Sequence, residues 1–94
     1  IDNISKIKKN KNKKTKIFHI IIAKFYSHNS AVYLKERINI EMKNFSVNKL
    51  AIKKIQKNNF QLISGPYNTV NSLKNDYIIL KKNGFEELEI KLNE

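Results

Sequence analysis

Two histidines, His19 and His28, stand nine residues apart in a chain without cysteine. A protein zinc site needs three or four imidazole, thiolate or carboxylate donors, often at the helical i, i+4 spacing. This pair has neither thiols nor that spacing, so no metal is expected. His28 follows Ser27 and precedes Ser30 by two, which puts a hydroxyl and a base close together in sequence. Neighbours in one loop do not achieve nucleophile-base geometry, and no carboxylate lies near to orient the imidazole. Glu86, Glu87 and Glu89 resemble the paired carboxylates of acid-base chemistry, but their setting is the solvated face of a strand. Two glycines and one proline leave no phosphate-cradling glycine loop. The residues therefore imply a chain with no catalytic group, no cofactor and no metal.

Charge points instead to binding. The 94 residues carry 19 Lys+Arg and 8 Asp+Glu, a formal +11. Seven lysines against Asp2 alone fall in residues 1–16, leaving 12 basic and 7 acidic side chains for residues 17–94. An excess of this sign predicts an anionic partner: nucleic acid, an anionic membrane surface or a carboxylate-bearing polymer. Residues 1–16, IDNISKIKKNKNKKTK, lack periodicity and carry too little apolar surface to offset ordering entropy. They are expected to form a disordered polybasic linker ahead of a single domain over 17–94. The first residue is Ile1 rather than Met, which is expected of a piece of a longer protein. No apolar run reaches the roughly 18 residues that span a bilayer, so no transmembrane segment is expected.

The positioning elements follow from periodicity. Ile17 to Phe25 is β-branched and aromatic without Gly or Pro, as in a central strand. After Ser27, a plausible cap, Ala31, Leu34 and Ile38 recur at helical spacing. Residues 49–55 alternate as a strand, Lys57-Asn58-Asn59 signals a turn, and Phe60 to Ser64 reads as the returning strand. Val70, Leu73, Tyr77 and Leu80 make the stripe of a second helix, capped by Asn68 or Thr69 and ended by Gly84. Leu88, Ile90 and Leu92 alternate with charged residues as a half-buried last strand.

This order, β-α-β-β-α-β, predicts an α+β ferredoxin-like/RNP-like sandwich: a four-stranded antiparallel sheet with two helices on one face. Its expected core is Ile20, Ile22, Leu34, Ile38, Leu62, Leu73, Tyr77, Leu80, Leu88 and Ile90. Strand alternation then turns His19, Ile21, Ala23, Gln61 and Ile63 to the open face. Lys49, Lys53, Glu87, Glu89 and Lys91 are expected to share it. An apolar patch with a charged rim marks an interaction surface.

Three segments, in order over residues 17–92, are similar to a known family. Phe18-His19-Ile20-Ile21-Ile22-Ala23-Lys24-Phe25 followed by Asn29-Ser30-Ala31 resembles the first signature of the sporulation-related repeat (SPOR) domain. Phe60-Gln61-Leu62-Ile63-Ser64-Gly65-Pro66-Tyr67 resembles its second, and Leu80-Lys81-Lys82-Asn83-Gly84-Phe85 its helix ending. Against the family pattern, Ile21 stands where Gln is usual, Ala23 for Gly and Gln61 for Arg. The resemblance implies a noncatalytic domain that binds peptidoglycan, favouring glycan strands stripped of stem peptides, and targets its parent protein to the bacterial division septum in the periplasm. The parent implied is a division protein or a rare-lipoprotein-A-type lytic transglycosylase, with other divisome proteins as further partners.

Stripping the stem peptide exposes the lactyl carboxylate of each muramic acid. Aromatic rings suit the sugar faces, while amides and lysines suit hydroxyls and carboxylates. By position, the resemblance puts glycan binding on Phe25, Gln61 and Tyr67, with Ser27, Lys53 and Ile21 behind them. It follows that Tyr67→Ala and Gln61→Ala should weaken binding without unfolding the domain. Two other readings share the strand order: an RNP-like nucleic-acid-binding domain, and a protein-interaction module using the apolar open face. The first lacks outward aromatics on its central strands, where that class stacks bases.

Overall fold

The structure, a computed structural model, describes residues 16–43 and 45–93. The linker expected over 1–16 lies outside the described residues, except for Lys16.

Strand β1 (Ile17–Phe25) leads into helix α1 (His28–Glu41). A 3-10 turn (Val47–Lys49) precedes the hairpin of β2 (Leu50–Gln56) and β3 (Asn59–Tyr67). Helix α2 (Val70–Lys82) and strand β4 (Glu89–Asn93) follow. The strands form one sheet in the order β2-β3-β1-β4, with every neighbouring pair antiparallel. The expected α+β sandwich is therefore the observed one. Residue 49 belongs to the turn rather than the strand, since β2 begins at Leu50.

Local chemistry sets the helix ends. The Ser27 hydroxyl accepts from the Ser30 amide at 3.2 Å, and Thr69 accepts from the Ser72 amide at 3.1 Å, each satisfying an orphan donor of the first turn. Helix α2 stops where Gly84 adopts φ +98. There the Phe85 amide donates to the Leu80 carbonyl and the Gly84 amide to that of Lys81, the paired bonds of a Schellman ending. Lys81 and Lys82 occupy the last turn, where cations meet the negative end of the helix dipole.

Both helices pack on one face of the sheet, mainly over β1, β2 and β3. One cluster joins Ile20 and Ile22 of β1, Leu62 and Tyr67 of β3, Ile38 of α1, and Leu73 and Leu80 of α2, with Met42, Phe45 and Leu50. Leu34, Tyr77 and Leu88 lie half-buried against it. Ile90, expected in the core, is 52 % exposed, because β4 is an edge strand outside the main helix cover.

Two irregularities re-aim side chains. On β1, Ile21 and Ala23 face Ile63 and Leu62, so Ile22 is an extra residue in a bulge. A bulge breaks strict alternation: Ala23, expected outward, joins Phe25 against the core, and Lys24 turns to the open face opposite Gln61. On β3, Ser64 and Tyr67 face Ile20 and Phe18, so Gly65 and Pro66 together stand opposite His19 alone, one residue more than the partner strand.

Candidate functional site

The sheet face opposite the helices carries the candidate site. Its central floor is the cross-strand pair Ile21 and Ile63, with Ala51 next to Ile63 on β2. Beside it, Lys53 pairs with Gln61 across β2 and β3, and His19 pairs with Lys91 across β1 and β4. His19, Ile21, Lys53, Gln61, Ile63 and Lys91 line one cleft of about 80 Å³. Ile21 is only 9 % exposed although it lies on the uncovered face. Lysine stems shelter apolar surface in this way while their ammonium groups stay in water. Gln61 also borders a second cleft of about 260 Å³, lined by Lys24, Ile55, Gln56, Asn59 and Phe60. The two clefts meet at Gln61, which lines both, the first apolar and cationic and the second rich in amides.

The electrostatics are one-sided at the cationic end. Lys53 reaches in from one edge strand and Lys91 from the other. Their ammonium groups come together, and that contact, with the repulsion between them, lowers the Lys91 pKa. Burial lowers the His19 pKa first, and the charges of Lys53 and Lys91 lower it further. Like charges disfavour one another's protonated forms, as both shifts require. Glu89 does not relieve them: it pairs with Lys24 at 3.1 Å. Among the described residues neither Lys53 nor Lys91 has a carboxylate partner.

His19 is held by backbone shape. A Cβ placed on Gly65 would sit 2.6 Å from the His19 Cδ2, and Gly65 has φ +150. Only a residue without a side chain lets the imidazole come this close to β3 there.

Of the residues singled out by the resemblance, Gln61, Lys53 and Ile21 come together in the first cleft. Phe25 and Ser27 do not. The bulge turns Phe25 to the helix side, half-buried beside Asn29, Ser30 and Tyr33 of α1. Ser27 is engaged as the cap of α1.

Tyr67 is a core residue, 2 % exposed. Its hydroxyl donates to Asp76 Oδ2 at 2.7 Å and contacts Ser64 Oγ. A phenol has one proton, so with that proton on Asp76, Ser64 is the donor to Tyr67. Lys49 Nζ completes the cluster 3.0 Å from Asp76 Oδ2 and 5.1 Å from the centre of the Tyr67 ring. Lys49, expected on the open face, thus lies on the helix side. Burial raises the Tyr67 pKa well above its ordinary value, with Asp76 adding to the rise. Tyr67 is unavailable to stack on a sugar, and its truncation would open the core.

His19 and Lys91 were legible as outward-facing residues but not as members of the site. The signal lay in sheet order, which sets β1 between β3 and β4 and brings Lys91 within reach of Lys53. For the buried cluster the signal was Asp76, three residues after Leu73 and four before Leu80, a carboxylate on the apolar stripe of α2.

Among the described residues no group of three or more His, Asp or Glu side chains is placed to hold a metal ion, and no helix is long and apolar enough to cross a membrane. Comparison with protein-family models, with curated proteins and with solved structures finds no match.

Proposed function

We propose that this chain is a noncatalytic glycan-binding domain that recognises peptidoglycan strands stripped of their stem peptides. In this reading it holds its parent protein, a lytic transglycosylase or another division protein, at the septum beside other divisome proteins. The observation that carries the reading is the pair of clefts on the open sheet face. An isoleucine floor offers apolar contact to sugar rings, Gln56, Asn59 and Gln61 offer amides for hydroxyl and acetamido groups, and Lys53 with Lys91 suits carboxylates. The outward residues of the two central strands are His19, Ile21, Lys24, Gln61 and Ile63. Of these only His19 is aromatic, and Phe60, which borders the second cleft, has its ring edge-on to His28, so the two central strands present no paired Phe, Tyr or Trp platform for nucleic-acid bases.

The test is co-sedimentation of the 94-residue chain with peptidoglycan sacculi, amidase-stripped and intact, at low and near-physiological salt. Greater retention on stripped sacculi at both salts, lost in Gln61→Ala, is the expected result. Equal retention on both materials, or none, overturns the reading. A collapse of retention at the higher salt reassigns the surface to a general polyanion.

A further inference from the structure

The geometry points to an oxyanion clamp on the open face, in which Lys53, Lys91 and His19 together grip one carboxylate or phosphate group above Ile21 and Ile63. The inference rests on the open face being the ligand surface and names the part of a ligand that the first cleft takes.

Two lysines from opposite edges of a four-stranded sheet need not meet. Each has open water beside it, and like charges brought together lose free energy in proportion to their closeness. Here both turn inward over β1 and β3 and share a cleft with an imidazole. Glu89, two residues before Lys91 on β4, is occupied by Lys24. A single anion in the cleft would contact both ammonium groups and turn their repulsion into two charge-assisted hydrogen bonds. The volume of about 80 Å³ suits it, since a water molecule takes about 30 Å³ of the liquid.

His19 makes the clamp sensitive to protonation. Lys53 faces it from β2, Lys91 from β4, and from β3 only the uncharged Gly65, Gln61 and Ile63. Glu89, the acid of this face, is tied to Lys24. An anion in the cleft offsets the two cations and draws the His19 pKa up. By reciprocity the anion binds more tightly as pH falls through that pKa.

The test is an NMR titration of the full chain at low ionic strength with three probes: N-acetylmuramic acid, N-acetylglucosamine and inorganic phosphate. N-acetylmuramic acid and phosphate should shift the His19, Ile21 and Gln61 resonances and raise the His19 pKa. His28, on the helix side against Phe60, should not move. Lys53→Gln and Lys91→Gln should each weaken binding by up to about fivefold, the range of exposed ion pairs. A response to phosphate without either sugar keeps the clamp and removes the glycan reading. Equal responses to both sugars, unchanged in the lysine variants, keep the glycan reading and overturn the clamp. No response of His19 to any probe overturns the clamp.

Discussion

Replacing Tyr67 by Phe removes one oxygen and nothing else, so it isolates the buried cluster from the packing around it. Ser64, 0 % exposed, would keep its hydroxyl in the core without an acceptor. Asp76 would lose its donor at 2.7 Å and retain Lys49 at 3.0 Å. An orphaned buried polar group costs roughly 1–3 kcal/mol. For a domain of this size each kcal/mol lowers the melting temperature by about 4–8 °C. Urea and thermal unfolding measure both quantities. Adding Ser64→Ala to Tyr67→Phe should cost less than the sum of the two single changes, because it removes the orphan.

The pH dependence supplies a second arm. The raised pKa means that folded Tyr67 keeps its proton where the unfolded chain has released it, above the ordinary 10.0. The folded state then binds more protons than the unfolded one, so this contribution is intact below about pH 10 and lost as pH rises beyond it. The stability gap between wild type and Tyr67→Phe should be flat across neutral pH and narrow above that point. A variant as stable as wild type at neutral pH, or a gap that stays constant into the alkaline range, would refute the assignment of Tyr67 to the core cluster.

Two further outcomes follow from the same structure. Leu80→Ala empties a fully buried site between α2 and the sheet, and chemical denaturation should show a loss of roughly 2–5 kcal/mol; an unchanged midpoint would mean that α2 packs by another face. Gly65→Ala sets a Cβ against the His19 ring at positive φ, so it should cost roughly 1–3 kcal/mol and displace the His19 imidazole resonances; unshifted resonances would mean that His19 does not rest on β3.

Much of the fold was legible because its signals are local. Ile17 to Phe25 carries a strand composition, and the β1 limits agree with it. Ala31 and Ile38, and Leu73 and Leu80, sit at helical spacing and are the buried residues that the spacing predicts. Ser27, Thr69 and Gly84 are punctuation whose chemistry acts within one turn. The open face was legible only in part, since alternation holds until a strand breaks it. His19, Ile21, Gln61, Ile63 and Lys53 face outward as their parity requires. Ala23 and Phe25 do not, because one extra residue reverses every side chain beyond it.

The sequence by itself determined the element order, the helix faces and the cationic balance of the chain. Tertiary structure alone decided what those residues meet. It buried Tyr67 and joined it to Asp76 of α2 and Lys49 of the turn before β2. It left Ile90 half exposed by setting β4 at an edge. It brought Lys53 and Lys91, 38 positions apart in the chain, over one floor beside His19. Spacing encodes what happens within a turn or a strand, whereas a contact between elements depends on sheet order, register and bulges, which are set by the packing of the whole chain.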